Sequence, residues 1–336
     1  MHLSAAHGRT VEQIRREGWK VDCVVDWVEG HSQASAAIAT GTAMASLAAT
    51  YLDLKTDVVL AVGDRVEAFA AAAAAHVSGV AVAHVHGGDR AAGQIDDSLR
   101  HAITKLAHVH FPATKTSEQR IVKLGEDPWR IHRCGSPGID GISATAVSSR
   151  QTRKVVDAPF ALVVLHPADA NPDVERRRAR QVIRAFERSG IPRAVVVYPN
   201  NDPGSAGVIS AWQTLDSNRH VICRDLPRGT FLGLMRDAVA LIGNSSSGII
   251  EAASFGTPVV DIGPRQLGRE HGKNVVHVGY SEAEIYRALA RIWNNGMPRR
   301  FASDNPYGVG HAGRIIAGTL AKLKINERLL RKLITY

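Results

Sequence analysis

The chain has 336 residues, 45% of them apolar and 22% charged, which is room for two globular domains and excludes a disordered chain. Lysine plus arginine (41) exceeds aspartate plus glutamate (32) by nine. The basic residues are dispersed, however, and the densest run, Glu175 to Arg180, falls in a helical stretch that reads as a solvated face, so nucleic acid is not the expected partner. No apolar run approaches bilayer length, MHLSAAHGRT lacks a basic lead and an apolar signal core, and Cys23, Cys134 and Cys223 lie far apart. Neither a membrane span nor a disulfide framework nor a CxxC metal site is expected, and the expected location is the cytoplasm.

In chain order the pattern alternates. A helix is predicted over Thr10 to Gly18, with a capping box at Thr10 and Gln13. Predicted strands follow at Val21 to Trp27, Asp57 to Val62, Val80 to His86, His108 to Ala113 and Ile131 to Cys134. A second series runs Phe160 to Leu165, Ala194 to Tyr198, His220 to Arg224, Ala238 to Ile242, Pro258 to Ile262 and Val275 to Val278. Strands alternating with helices imply parallel sheets covered on both faces. The fold class is therefore α/β, two doubly wound Rossmann-like domains facing a cleft, joined near residues 140–159. The expected division is 1–145 for the first domain, 146–310 for the second, and 311–336 for a terminal helical segment with apolar spacing at Ile315, Ile316, Leu320 and Leu323. A doubly wound half should begin with a strand near the middle of its sheet. This chain opens instead on a polar loop and a helix, so the first domain is expected to lack its first strand, leaving neighbouring strands short of ladder partners and a flank of the core open.

Ligands in such sheets bind outside the carboxyl ends of the strands, and the polar motifs sit there. The stretch from Leu241 to Glu270, LIGNSSSGIIEAASFGTPVVDIGPRQLGRE, reads as strand, small polar turn and helix, a unit whose free N–H groups face an anion. Ser245 and Ser246 add hydroxyl donors. Glu251, about a turn into that helix, can accept both hydrogens of a vicinal diol such as a ribose, and Arg265 and Arg269 suit phosphate. Such a turn can also be only an N-cap. A nucleophilic serine is not expected, because the G-x-S-x-G spacing is absent. Asp64, His86 and His166 follow strands, and Asp96 opens a helix. The bland readings are a turn or cap for Asp64, a dipole-favoured first turn for Asp96 and Asp97, and packing for His166.

These residues carry a resemblance. GNSSSGIIEAASFGTPVVDIGPRQLGRE and HVHGGDRAAGQIDDSLRHAITKLAHVHF, with GDR at Gly63, HP at His166, PNNDPGS at Pro199 and NPYG at Asn305, resemble UDP-N-acetylglucosamine 2-epimerases, specifically the hydrolysing branch that makes N-acetylmannosamine for sialic acid. The resemblance runs through nearly the whole chain in order. It implies a two-domain fold of the glycosyltransferase-B kind, with the terminal helix crossing back onto the first domain. It also implies a homo-oligomer. In the family a strand and a glycine and arginine loop precede the point where MHLSAAHGRT aligns, so the chain is expected to be truncated at its start.

The implied reaction takes UDP-N-acetylglucosamine and water to UDP and N-acetylmannosamine by elimination of UDP and hydration of a glycal. It needs an acid and a base near C2 and the leaving oxygen, and fixed positive charge on the pyrophosphate. By resemblance Asp64, His86, Asp96 and His166 are the catalytic set, with Asp64 and Asp96 as a pair of raised proton affinity. His86 stands where many relatives have glutamate, which shifts the proton carrier toward histidine. UDP is expected at Arg65, His166, Asn200, Ser245, Ser246, Glu251 and Arg265, with Arg100 and Lys105 as support. No cofactor is implied. His84 and His86 share a strand face, and with Asp89 and His110 could be imagined as a zinc site, but the family needs no metal. Gly308, Gly310 and Gly313 spell G-x-G-x-x-G without a preceding strand, so no nicotinamide site follows. A non-hydrolysing epimerase, a UDP-sugar transferase and a nucleotide-binding remnant without catalysis stay open. The sugar could equally be a diacetamido analogue.

Overall fold

The computed structural model describes residues 3, 9–27, 33–90, 95–200 and 202–335. It is α/β with parallel sheets in two units: unit 1 holds Met1–Asp89, Ile95–Cys134 and Arg314–Tyr336, and unit 2 holds Arg90–Gln94 and Gly135–Gly313. Among the described residues no helix is long and apolar enough to cross a membrane.

Unit 1 is built on a parallel sheet of order β1-β2-β3, with β1 Val58–Val62, β2 Ala81–Val85 and β3 Val109–Phe111. The middle strand β2, AVAHV, is buried along its whole length, as a strand covered on both faces must be. Helices α1 (Val11–Arg16), α2 (Gln33–Asp53), α3 (Val66–Val77), α4 (Ile95–Leu106) and α5 (Lys115–Lys123) belong to this unit. The alanine run of α3 buries Ala70, Ala72, Ala74 and Ala75, small side chains that let neighbouring elements approach closely around Tyr51, Val82 and Ile103.

Three predicted elements differ. Val21 to Trp27 forms no strand, and Ile131 to Cys134 contributes only an isolated bridge from Ile131 to His110. Both stretches have strand-like composition, but a strand exists only where a partner offers its ladder. Among the described residues β1 is a sheet edge, and its Leu60 and Val62 are 43% and 57% exposed. Thr10 takes helical angles (φ −60°, ψ −11°) and makes no side-chain cap, while Gln13 bonds Glu17 instead, so the predicted capping box does not form. Residues 1, 2 and 4–8 of the opening loop lie outside the described residues.

Unit 2 is a six-stranded parallel sheet of order β6-β5-β4-β7-β8-β9. The strands are β4 Phe160–Val164, β5 Arg193–Val197, β6 Val221–Cys223, β7 Leu241–Gly243, β8 Val259–Ile262 and β9 Val275–Val278. Two short helices, α6 (Ile142–Thr145) and α7 (Ser149–Thr152), precede β4. The longer α8 (Pro172–Arg188) buries Ala179, Val182, Ile183 and Phe186 and turns its arginine-rich face outward. It packs on α9 (Ser205–Trp212) so closely that a Cβ on Gly207 would stand 1.9 Å from the Pro172 carbonyl oxygen. The core also takes Trp212, Val260 and Leu289, the last from α12 (Glu282–Trp293). Helices α10 (Arg228–Asp237) and α11 (Ser246–Ile250) flank β7 in sequence. The strand order reverses between β4 and β7, the position where ligands enter doubly wound sheets.

The chain ends with α13 (Ala312–Leu320) and α14 (Glu327–Leu330). The Asp140 carboxylate accepts from the N–H groups of Ala312 (2.9 Å) and Gly313 (2.6 Å), so the helix start at the end of the G-x-G-x-x-G already holds an anion. Within unit 1, buried Arg130 donates to the carbonyls of Leu329 (2.8 Å) and Arg328 (2.9 Å).

Candidate functional site

In unit 1 the predicted proton-handling residues follow β1 and β2 and open α4. Gly63, with φ +83°, turns the chain sharply after β1 and presents Asp64. Its N–H donates to the Val85 carbonyl (3.1 Å), and its carbonyl lies 2.9 Å from His84 Nε2. His84 is fully buried, and burial drives its pKa down to about 3. It is therefore a neutral imidazole donating Nε2–H to Gly63, with Nδ1 facing Thr104 Oγ1 at 3.1 Å. The ring thus ties the turn below Asp64 to α4. Among the described residues no group of three or more His, Cys, Asp or Glu could hold a metal ion.

The N-cap residue of α3 is Arg65, so Asp64 does not cap that helix. The Asp64 carboxylate instead accepts from Arg100 Nη2. Arg100 is 1% exposed, and its Nη1 donates to Asp97 Oδ1 (2.8 Å) and to the Asp89 carbonyl (3.2 Å). Lys105 pairs with Glu126 (2.7 Å) and the Leu124 carbonyl (3.0 Å). In this structure carboxylates and carbonyls engage both cations. Arg65 is more open and lies 3.5 Å from Glu67. Asp96, half-buried, sits beside Asp97 in the first turn of α4.

His86 has φ +66°, a left-handed conformation that costs a non-glycine residue energy and persists only where the surroundings enforce it. Two constraints are visible: its N–H donates to the Phe111 carbonyl (3.1 Å), and its Nδ1 lies 3.1 Å from Asp89 Oδ2. Asp89, 4% exposed, also accepts from Ser117 Oγ (2.8 Å). A carboxylate held from behind thus orients the imidazole through Nδ1. The loop needs Gly88, because a Cβ there would fall 2.2 Å from the Ser117 carbonyl oxygen. Residues 91–94, the middle of the second motif, lie outside the described residues.

In unit 2, His166 follows β4 and the serine turn follows β7, on neighbouring strands at the switch point. Asn244, fully buried, joins them: its Oδ1 accepts from the His166 N–H (2.7 Å) and its Nδ2 donates to the His166 carbonyl (2.8 Å). Gln266 fixes Asn244 in turn through its carbonyl (2.8 Å). The Asn200 N–H donates to His166 Nδ1 (3.0 Å), which places the imidazole proton on Nε2. Asn200 Nδ2 also donates to Asp202 (2.5 Å), and Arg265 lies 3.7 Å from the same carboxylate, so His166, Asn200 and Arg265 share one polar cluster at the ends of β4, β5 and β8. Asn201 lies outside the described residues.

Ser245 is the N-cap of α11 and accepts from the Ser247 N–H (3.4 Å), while Ser246 is its first residue. That helix has only five residues before a 3-10 turn at Ala252–Phe255, so the anion-facing dipole is weaker than a full helix would supply. Glu251 is not one turn into a continuing helix, as read from the sequence. It sits at the C-cap, where the helix gives way, because Gly256 and Pro258 stop it almost at once. Glu251 is 7% exposed, burial pushes its pKa up, and Arg228 Nη2 lies 2.7 Å from Oε1.

Sequence reading gave no role to Asn244, Asp202 and Arg228 and named Asp89 only in an imagined zinc site, whereas all four hold other residues in place. Asn244, Asp89 and Asp202 fall inside the quoted motifs, but nothing local names the residue each one holds; the one signal was a polar side chain inside a run destined for burial, as with Asn244 directly after LIG.

Comparison with known proteins adds four findings. The family model described as UDP-N-acetylglucosamine 2-epimerase matches residues 1–321. A protein of Legionella pneumophila named UDP-N,N'-diacetylbacillosamine 2-epimerase (hydrolyzing) is 32% identical, over 100% of this chain and 90% of its own. The UDP-N-acetylglucosamine 2-epimerase of Neisseria meningitidis serogroup B is 30% identical, over 92% of this chain and 81% of its own. Among solved structures, the Neisseria meningitidis UDP-GlcNAc 2-epimerase bound to UDP-GlcNAc superposes with a TM-score of 0.80 at 18% identity, over 95% of this chain and 90% of that one.

Proposed function

The chain belongs to the UDP-N-acetylglucosamine 2-epimerase family, and we propose on that premise that it is a hydrolysing epimerase, converting UDP-N-acetylglucosamine and water into UDP and N-acetylmannosamine. The reading gives unit 2 the nucleotide. His166, Asn200, Arg265 and the hydroxyls and N–H groups at Ser245 and Ser246 receive the pyrophosphate, and Glu251 receives the ribose diol. Unit 1 handles protons. Asp64, Asp96 and His86 take the C2 proton and assist departure of UDP as the C1–O bond breaks, which leaves a glycal double bond between C1 and C2. Water then adds its hydroxyl to C1, and C2 is protonated from the opposite face.

The observation that carries this reading is the Asp89–His86 pair on a backbone conformation that costs energy to hold, beside an Asp64 held by a buried arginine. An imidazole oriented by a carboxylate suits proton delivery during hydration of the glycal. The test is proton NMR of UDP-N-acetylglucosamine with the purified chain. Free N-acetylmannosamine and UDP are expected, and UDP-N-acetylmannosamine in their place would refute hydrolysis. The Legionella relative's printed name favours running the assay in parallel with the UDP-linked diacetamido sugar.

A further inference from the structure

Glu251 is where the nucleotide reading meets a physical difficulty. A carboxylate that accepts both hydrogens of a ribose diol must be ionised, yet this one is almost wholly buried, and burial favours its neutral form. What opposes that is Arg228, the first residue of α10, which pairs with Oε1 at 2.7 Å and donates to the Gly138 carbonyl at 2.5 Å. The second contact fixes the guanidinium against the 3-10 turn Pro137–Ile139, which lies next to the carboxylate: a Cβ on Gly138 would stand 3.7 Å from Oε1, an ordinary contact distance. Arg228 is the charged group that lowers the proton affinity of Glu251 against the effect of burial. Oε1 is thus engaged from one side, and Oε2 is left to take hydroxyls.

We propose that Arg228 is the positioning residue of the ribose subsite, holding the Glu251 carboxylate ionised and aimed so that it discriminates nucleotides by their 2′ and 3′ hydroxyls. The proposal rests on the ribose role given to Glu251 above. Arg228 acts through Glu251 and touches no reacting atom.

The experiment is calorimetric titration of the full chain with UDP and with 2′,3′-dideoxy-UDP, for wild type, Arg228→Gln and Arg228→Lys, across pH 5 to 9. The side chain of Arg228 is 48% exposed, and a thermal melt checks that both variants fold. Wild type is expected to prefer UDP. In Arg228→Gln, UDP binding falls by about 10- to 100-fold, the worth of a charge-assisted contact, while dideoxy-UDP binding is unchanged. The remaining UDP affinity of Arg228→Gln is lost as pH falls, with a midpoint above that of wild type, because the carboxylate now protonates more readily; Arg228→Lys restores part of the preference. A wild-type preference for UDP that survives intact in Arg228→Gln overturns the proposal and leaves the ribose role standing. Equal binding of the two nucleotides by wild type removes the ribose role, and the proposal with it.

Discussion

Replacing Glu126 by glutamine should detach the end of the chain from unit 1. Glu126 is 1% exposed, and its carboxylate accepts from Lys105 Nζ (2.7 Å), Lys332 Nζ (2.8 Å) and His110 Nε2 (3.0 Å). Burial alone would raise its pKa, but the hydrogen bonds from His110 and the two lysines win and pull it down to about 2. From the ordinary value of 4.5 that displacement corresponds to about 3 kcal/mol. Removing one partner of a buried ion pair costs about 3 to 5 kcal/mol, so the two routes agree. Lys332 also caps α4, donating to the carbonyls of Lys105 (2.5 Å) and Ala107 (2.9 Å), so its loss would open that helix end too. Urea unfolding measures the penalty, and hydrogen exchange over residues 314–335 locates it. We expect faster exchange in that segment and a loss of about 3 kcal/mol. Glu126→Gln with Lys332→Met should be less damaged than Glu126→Gln alone, because a buried ammonium without a counter-charge is what destabilises. The sign with pH follows from the depressed pKa: the contribution is whole above pH 4.5 and fades as pH falls toward 2, so the variant should lack that part of the acid sensitivity. A loss below about 1 kcal/mol, the worth of an exposed pair, would refute the reasoning.

Three other outcomes are expected. Asn244→Ala frees both backbone groups of His166 and should lower kcat/KM by about 100-fold through misplacement, read by steady-state kinetics, with nucleotide titration reporting any loss of binding. Gly243→Ala puts a Cβ 1.9 Å from the Val164 carbonyl oxygen at φ +139°, between paired strands, and should cost about 3 kcal/mol in urea unfolding. His84 is neutral when folded, with its pKa near 3 against an ordinary 6.5. Stability should therefore fall with pH below 6.5, by up to about 1.4 kcal/mol per pH unit, and His84→Phe should flatten that slope in melts between pH 7 and pH 4.

Much of the architecture was legible because it is written in local periods. The buried β2 and β4 read as continuous apolar runs, α8 shows a spacing of three to four, and glycines mark the turns after β1 and β7, since these signals depend on residues a few positions apart. Val21 to Trp27 has equally good strand chemistry and forms none, because composition permits a ladder but only a neighbour supplies one. The motif residues were likewise visible as polar groups at strand ends. What each one does was settled by partners distant in sequence: Arg100 meets Asp64 across 36 positions, Asn244 grips His166 across 78, and Lys332 reaches Lys105 across 227. The sequence determined the strands and helices whose periods are local, such as β2, β4 and α8, and which polar residues stand at their ends. Tertiary structure alone decided which carboxylate is neutralised by which cation, because a buried charge is governed by whatever packs against it, and no local spacing encodes that neighbour.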